Sequence, residues 1–462
     1  MGLNSAINRY IPVYLAKNDD DGIERVVSNS LFFLLALAFL LVAITLVVYC
    51  NIGSWFAIKP ELVSVAGVLV LIVGFCAACA MPLQLSSAVL SGLQRYDAVN
   101  IAVLIPLFLR TIFLVVLLLR GHGLIAMGIV FGVSEIVIRL LQFLLARRLL
   151  PKVSVSWASL DFRFLREMLT YGVNTFLYAM GGMIIYKASD LVIGVFLGTA
   201  EVSRFAIATA AVLLLSQFLQ AFTAAIKPAV SDLNARDEHS RVREISFLMQ
   251  KYSFLLIIPA GFFLVTIGRQ FLWIWVGEKF QDPAVIDSTA MILAILTVGH
   301  CLRLMQHSNF LVLVGKGEHK IFGVLTFLVA MFCICGSVIA VRFLNMGLIG
   351  IAWANCAPMA VTFGIVVPIY FNRKMDITVA ESIREVWWPA FLGSMPAVIL
   401  ISIWKYASPP TTWLGIAMVV FSVGIATILG GWCFSLTELE KKRFRYVLLP
   451  RRLRSSATAQ ER

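Results

Sequence analysis

Two arginines lie inside long apolar runs of this sequence, where a charge is expensive. Arg110 falls about 12 residues into a run that starts near Ala98, which places it ~18 Å along a helix and close to the middle of a bilayer. Arg303 lies in the interior of another run. A charge at the bilayer centre costs about 2.5–3.5 kcal/mol, so each arginine is a candidate functional residue. Because the planar guanidinium matches the oxygens of an anion, an anionic ligand is favoured for these arginines. A structural hydrogen bond to carbonyls of a neighbouring helix is the alternative for Arg110.

Glu135 and Arg139 are four residues apart in one apolar run, in the order that favours an ion pair on a helix. The spacing predicts that they pair. The pair either neutralises itself or acts on a ligand headgroup or a coupled proton, and both interpretations stay open.

Further polar residues are candidates for lining a ligand path. His300, Arg303 and His307 are three and four residues apart and share one helical face, although a buried structural role is equally open for His300. Asn174 could contact ligand hydroxyls or bond a neighbouring helix. Asp190 lies near the predicted outer end of its helix, where reaching to the interface is the simpler interpretation.

The composition requires that these residues lie on membrane helices. Hydrophobic residues make up 60% of the 462 and charged residues 14%, and the mean hydropathy is +0.91. A soluble core cannot bury that much apolar surface, and the runs are long enough for helices rather than barrel strands. We predict an all-α polytopic bundle with twelve spans: 29–50, 63–90, 98–119, 123–146, 167–187, 202–226, 248–268, 286–314, 320–342, 346–371, 386–405 and 413–434. The long runs 63–90 and 286–314 are expected to tilt or to extend beyond the bilayer.

Basic residues are distributed unevenly between the two sets of loops. The set that includes both termini carries 26 Lys and Arg residues, and the opposite set carries seven. By the positive-inside rule, both termini are predicted to be cytoplasmic. The net charge of +13 is therefore mostly a topology signal, and nucleic-acid binding is not expected. The eight cysteines lie in or beside spans without the partners of a metal site, so no metal or other cofactor is predicted.

An internal repeat organises the chain. The segment from Leu90 to Asp97 aligns with that from Leu313 to Lys320, and SAINRYIPVYLAK near the start aligns with AAIKPAVSDLNAR from Ala224. The repeat predicts three domains: a lobe of four helices over 1–150, a lobe of six over 151–375, and two helices with a basic tail over 376–462. Because the second lobe has two helices without a counterpart, we expect that the first two spans of a fourteen-helix plan are missing. Lobes of even helix number form a parallel repeat.

Three motifs resemble a known family. They are DLVIGVFLG from Asp190 with VSRFAIA from Val202, LSGLQRYD from Leu90, and GLNSAINRY from Gly2. Together they resemble the polysaccharide and O-antigen flippases of the multidrug/oligosaccharidyl-lipid/polysaccharide exporter superfamily, with Phe205 where that family commonly has Tyr. The resemblance implies the two-lobed fold of multidrug exporters of that superfamily.

The resemblance also implies a function. It implies alternating-access transport of an undecaprenyl-diphosphate-linked oligosaccharide across the bacterial inner membrane for O-antigen and lipopolysaccharide synthesis, without enzymatic chemistry. Membrane lipids and a polysaccharide polymerase are the other expected partners. Arg110 and Arg303 are then expected to bind the diphosphate in a shared central cavity. The alternatives are an exporter of small amphipathic molecules, which the excess of intramembrane arginine disfavours, and a scaffold without transport activity.

Overall fold

The computed structural model of the chain is helical, and no strand occurs among the residues it describes. Those are residues 2–441 except for positions 18, 57, 94, 152–154, 157–158, 224–225, 227–229, 231–232, 234–237, 278–281, 317, 319 and 439. Within this described part, twelve helical segments are long and apolar enough to cross a membrane. The predicted all-α class and its twelve spans are confirmed.

The first of two compact units comprises residues 1–180 and 194–199. Its helices are α1 (Gly2–Ala16), α2 (Asp20–Trp55), α3 (Pro60–Leu83), α4 (Leu85–Gly92), α5 (Tyr96–Leu119), α6 (Leu124–Leu149) and the first part of α7 (Phe162–Phe196). The α3 helix packs against both α2 and α6. Ile7 and Ile11 lie one turn apart on α1, and both are fully buried in a cluster that includes Leu90 of α4. This apolar face holds the short α1 against the bundle.

A polar network fastens the segment after α6 to the start of α2. Asn29 is fully buried, its amide donates to the carbonyl of Ser159, and its Oδ1 accepts from the backbone N–H of Asp161. The hydroxyl of Ser28 accepts from the backbone N–H of Ser156 at 3.1 Å. These bonds replace the water that the exposed backbone of a connector would otherwise need.

Asp161 closes this network and begins the next helix. Its Oδ1 accepts the backbone N–H groups of Arg163 and Phe164, which are unsatisfied donors in the first turn of α7. The other oxygen accepts from Arg25. The backbone bond from Phe164, followed by the bond from the Arg25 guanidinium, lowers the pKa of the Asp161 carboxyl below its ordinary value. The carboxylate therefore stays charged at neutral pH and can accept the N–H groups at the start of α7.

The second unit comprises residues 181–193 and the chain from 200 onwards. Its helices are the later part of α7, then α8 (Thr199–Thr223), α9 (His239–Thr266), α10 (Gly268–Val276), α11 (Pro283–Met305), α12 (His307–Gly315), α13 (Lys320–Arg342), α14 (Gly347–Val361), α15 (Val367–Lys374), α16 (Val379–Ser382), α17 (Trp388–Ala407) and α18 (Trp413–Gly430). Turns of π-helix at Thr362–Val366 and Ile383–Trp387 join α14 to α15 and α16 to α17. The domain boundaries expected at 150 and 375 stay predictions.

Each of the two long apolar runs is interrupted near its end. The run Pro60–Gly92 breaks at Gln84 between α3 and α4, and Pro283–Gly315 breaks at Gln306 between α11 and α12. The two glutamines occupy nearly the same place in the aligned repeats, shortly before the glycines that end the runs. The extra length of these runs is therefore a short second helix after a bend.

Candidate substrate-binding residues

Arg303 lies in the last turn of α11, and Tyr186 of α7 holds its side chain. The guanidinium Nη1 donates to the Tyr186 hydroxyl at 3.1 Å, and Cζ lies 5.3 Å from the centre of the ring. Gly182 lies one turn before Tyr186, and a Cβ there would be 3.3 Å from Arg303 Nη2. The tyrosine hydroxyl orients the guanidinium, and the glycine at 182 leaves room for it.

His300 completes this group, which we call the Arg303 cluster (Gly182, Tyr186, His300 and Arg303). The imidazole is 2% exposed and stacks on the Tyr186 ring with centroids 4.8 Å apart. Its Nδ1 is buried and makes no hydrogen bond to any residue that the structure describes.

His307 begins α12, beyond the break at Gln306, and packs near Phe310. The break therefore separates His307 from the helix that carries Arg303.

Three buried amide side chains stabilise the break at Gln306 between α11 and α12. Asn309 donates to Gln306 Oε1 at 2.7 Å and its Oδ1 accepts from Gln250 of α9. All three side chains are at least 96% buried. Since buried amides are costly unless bonded, this arrangement fixes where α11 ends. In the sequence these three residues stand out only as amides within apolar runs.

The later part of α7 carries a second polar contact. Asn355 of α14 donates to the Ser189 hydroxyl at 3.0 Å, and both side chains are buried. The next residue, Asp190, lies 3.6 Å from Lys187 Nζ, and its Oδ1 is buried without a hydrogen-bond partner among the described residues. Asp190 is thus partly buried beside an exposed Lys187, and its position relative to the membrane interface stays a prediction.

In the first unit, Arg110 contacts an aromatic ring. Its Cζ lies 4.7 Å from the centre of the Phe131 ring on α6, and the side chain is half-buried. A cation over an aromatic face is stabilised without losing its charge. Phe131 lies one turn before Glu135, which brings Arg110 to the part of α6 that carries the predicted ion pair.

The ion pair on α6 is confirmed. Arg139 Nη2 lies 2.6 Å from Glu135 Oε1, and Nη1 donates to Gln142 at 3.1 Å. A role for the pair in ligand binding stays a prediction.

The side chain of Asn174 is outside the described residues, as is the basic tail from residue 442. Arg110 and Arg303 belong to different units, and their shared cavity stays a prediction.

Among the residues that the structure describes, twelve apolar helices with arginine, histidine and amide side chains inside them define a multi-pass membrane protein. The chain belongs to the polysaccharide biosynthesis protein family, whose model matches residues 15–285. A probable low-salt glycan biosynthesis flippase, Agl15 of Haloferax volcanii, is 24% identical over 137 residues. That match covers 30% of this chain and 29% of the relative, well under two thirds of its length.

Solved structures share the fold. An inward-facing multidrug resistance MATE family transporter of the MOP superfamily has a TM-score of 0.65 at 18% identity, over 81% of this chain and 86% of that one. The lipid II flippase MurJ in an inward closed conformation has a TM-score of 0.61 at 14% identity, over 93% and 88%. The expected fold is confirmed.

Proposed function

We propose that this protein moves a lipid-linked oligosaccharide, carried on a polyprenyl diphosphate, across the cytoplasmic membrane by alternating access. The observation that carries the proposal is an arginine inside a span, oriented by Tyr186 and Gly182, in a protein of a polysaccharide biosynthesis family. The Tyr186 hydroxyl accepts a hydrogen bond from the guanidinium and so orients it. Such a group suits a diphosphate that must cross an apolar layer.

Arg303 and Arg110 are the residues proposed to bind the diphosphate. Glu135 with Arg139, Asn174, Asp190 and His307 are proposed to contact the rest of the headgroup. The lipid tail stays in the bilayer, so the protein need only shelter the polar head during the crossing. No bond is made or broken in this scheme.

The test is transport by the full chain in proteoliposomes. The probe is a fluorescent oligosaccharide on a polyprenyl diphosphate, and a membrane-impermeant quencher reports which leaflet holds it. We expect protein-dependent movement between leaflets. Movement of a small amphipathic cation in its place would support the exporter alternative, and movement of neither would support the scaffold.

The topology can be tested separately. The excess of basic residues predicts that both termini are cytoplasmic. Phosphatase fusions after Lys59 and Lys405 should therefore be active in the periplasm, and a fluorescent-protein fusion after Arg454 should fluoresce in the cytoplasm. Fusions of the opposite reporter at each site are the controls. A periplasmic C-terminus would contradict the predicted orientation.

A further inference from the structure

A cleft of 480 Å³ lies in the first unit. Its walls come from α2, the α3–α4 bend, the end of α6 and the start of the segment that follows α6. Most of the lining is apolar, including Leu31, Leu83, Phe143 and Val155. The break between α3 and α4 after Pro82 and the end of α6 before Pro151 both border the cleft.

The cleft carries a cationic group. Among the described residues that line it, Arg147 is the one with a charge, and it is exposed in the last turn of α6. No hydrogen bond or ion pair of Arg147 occurs among the residues that the structure describes. Arg148 is equally exposed but does not line the cleft. The described lining thus combines an apolar slot with the guanidinium of Arg147.

This combination determines the kind of ligand. A soluble anion would bind the arginine but would not bury the apolar wall, and a neutral hydrocarbon would cover the wall but would not bind the arginine. A lipid with an acyl chain and an anionic head matches both parts, and the volume lies within the range of about 300–1,000 Å³ typical of small-molecule sites. Arg147 belongs to the basic set of loops, which the positive-inside rule places at the cytoplasmic leaflet, where anionic lipids attract basic residues.

We propose that the cleft binds an anionic membrane phospholipid, with an acyl chain against Leu31, Leu83 and Phe143 and the phosphate on Arg147. This lipid is a resident of the first unit and is distinct from the transported molecule. Binding does not depend on the proposed transport function, because the residues of the cleft are not those proposed to bind the diphosphate.

The experiment compares lipid retention by matched arginine variants. Full-length protein in detergent is incubated with phosphatidylglycerol or phosphatidylcholine, and bound lipid is counted by native mass spectrometry. We expect saturable binding of phosphatidylglycerol that Arg147→Gln weakens about fivefold or more, as for the loss of one basic contact to an anionic lipid. Arg148→Gln should bind normally. Equal losses in both variants, or equal binding of the two lipids by the unchanged protein, would overturn the proposal.

A second variant tests the apolar part. Leu31 is partly exposed and lines the cleft, so Leu31→Trp should fill the slot while leaving the helix intact. We expect loss of phosphatidylglycerol binding with unchanged helical circular dichroism. Normal binding by a folded Leu31→Trp protein would show that the lipid is held at the surface by charge alone. A competing polyprenyl diphosphate that displaces phosphatidylglycerol more strongly than other phospholipids do would reassign the cleft to the cargo.

Discussion

Replacing Arg303 with alanine is expected to lower transport of the lipid-linked oligosaccharide about tenfold or more, because a hydrogen bond to a charged group contributes about 1.5–3 kcal/mol. The loss should appear in the transport rate at matched protein levels and with unchanged helical content. Arg303→Lys keeps the charge but cannot form two parallel bonds to a diphosphate, so it should recover only part of the rate.

The surroundings of Arg303 sharpen this test. Tyr186→Phe removes the hydroxyl that accepts from Nη1 but keeps the ring below the guanidinium. Since a neutral hydrogen bond contributes about 0.5–1.5 kcal/mol, the expected loss is about two- to tenfold, less than that of Arg303→Ala. The double variant should be no worse than Arg303→Ala alone, because the tyrosine acts through the arginine.

Arg342 provides a matched control. It is an exposed arginine at the end of α13, in the same unit as Arg303. Arg342→Ala should transport normally. If Arg303→Ala and Arg342→Ala both transport at the normal rate, Arg303 does not bind the cargo. If both slow transport equally, the effect comes from overall charge and not from the Arg303 cluster.

Arg110 is a weaker candidate than Arg303 in one respect. Arg110 contacts the Phe131 ring, and a lysine could make the same cation–aromatic contact. Arg303 also donates a directed hydrogen bond to Tyr186. Arg110→Lys should therefore retain more activity than Arg303→Lys, provided that both arginines bind the diphosphate.

Much of the fold could be predicted from the sequence because a membrane span is a local property. Twenty consecutive apolar residues specify a helix that crosses the bilayer, whatever it packs against. The Glu135–Arg139 pair was predictable for the same reason, since its partners are four residues apart on one helix. Composition and short-range spacing carried both predictions.

The missed features depend on contacts between distant residues. Tyr186 meets Arg303 across 117 positions of the sequence, and neither residue indicates the other. The sequence predicts extra helix length here because apolar residues continue on both sides of the polar stretch at Gln306. The cause of the break is the bond network from Gln306 through Asn309 to Gln250, which periodicity cannot reveal.

Lys251 shows the same limit. It lies just inside the predicted span 248–268, is 4% exposed and bonds both carboxylate oxygens of Glu440 at 2.7 Å. Glu440 also accepts the backbone N–H of Thr437 at 2.8 Å. The pair joins α9 to the segment after α18, 189 positions away in the sequence.

Removing one partner of this pair is expected to destabilise the protein strongly. Lys251→Met leaves the Glu440 carboxylate largely buried without its cation, and breaking a buried ion pair in this way costs about 3–5 kcal/mol. The free energy of unfolding in mixed detergent micelles, followed by circular dichroism, should fall by about 3 kcal/mol, the lower end of that range, because Glu440 keeps some access to solvent.

Two further variants separate the buried pair from a general loss of charge. Arg241→Gln breaks a more exposed pair with Glu238, the residue before α9, and should cost less than about 1 kcal/mol. Lys251→Met combined with Glu440→Leu removes both charges and should recover most of the lost stability, because two apolar side chains can replace a buried pair at little cost. Two results would show that the pair does not stabilise the contact between α9 and the segment after α18. One is that Lys251→Met lowers the free energy of unfolding no more than Arg241→Gln does. The other is that the double variant is destabilised by the sum of the effects of Lys251→Met and Glu440→Leu alone.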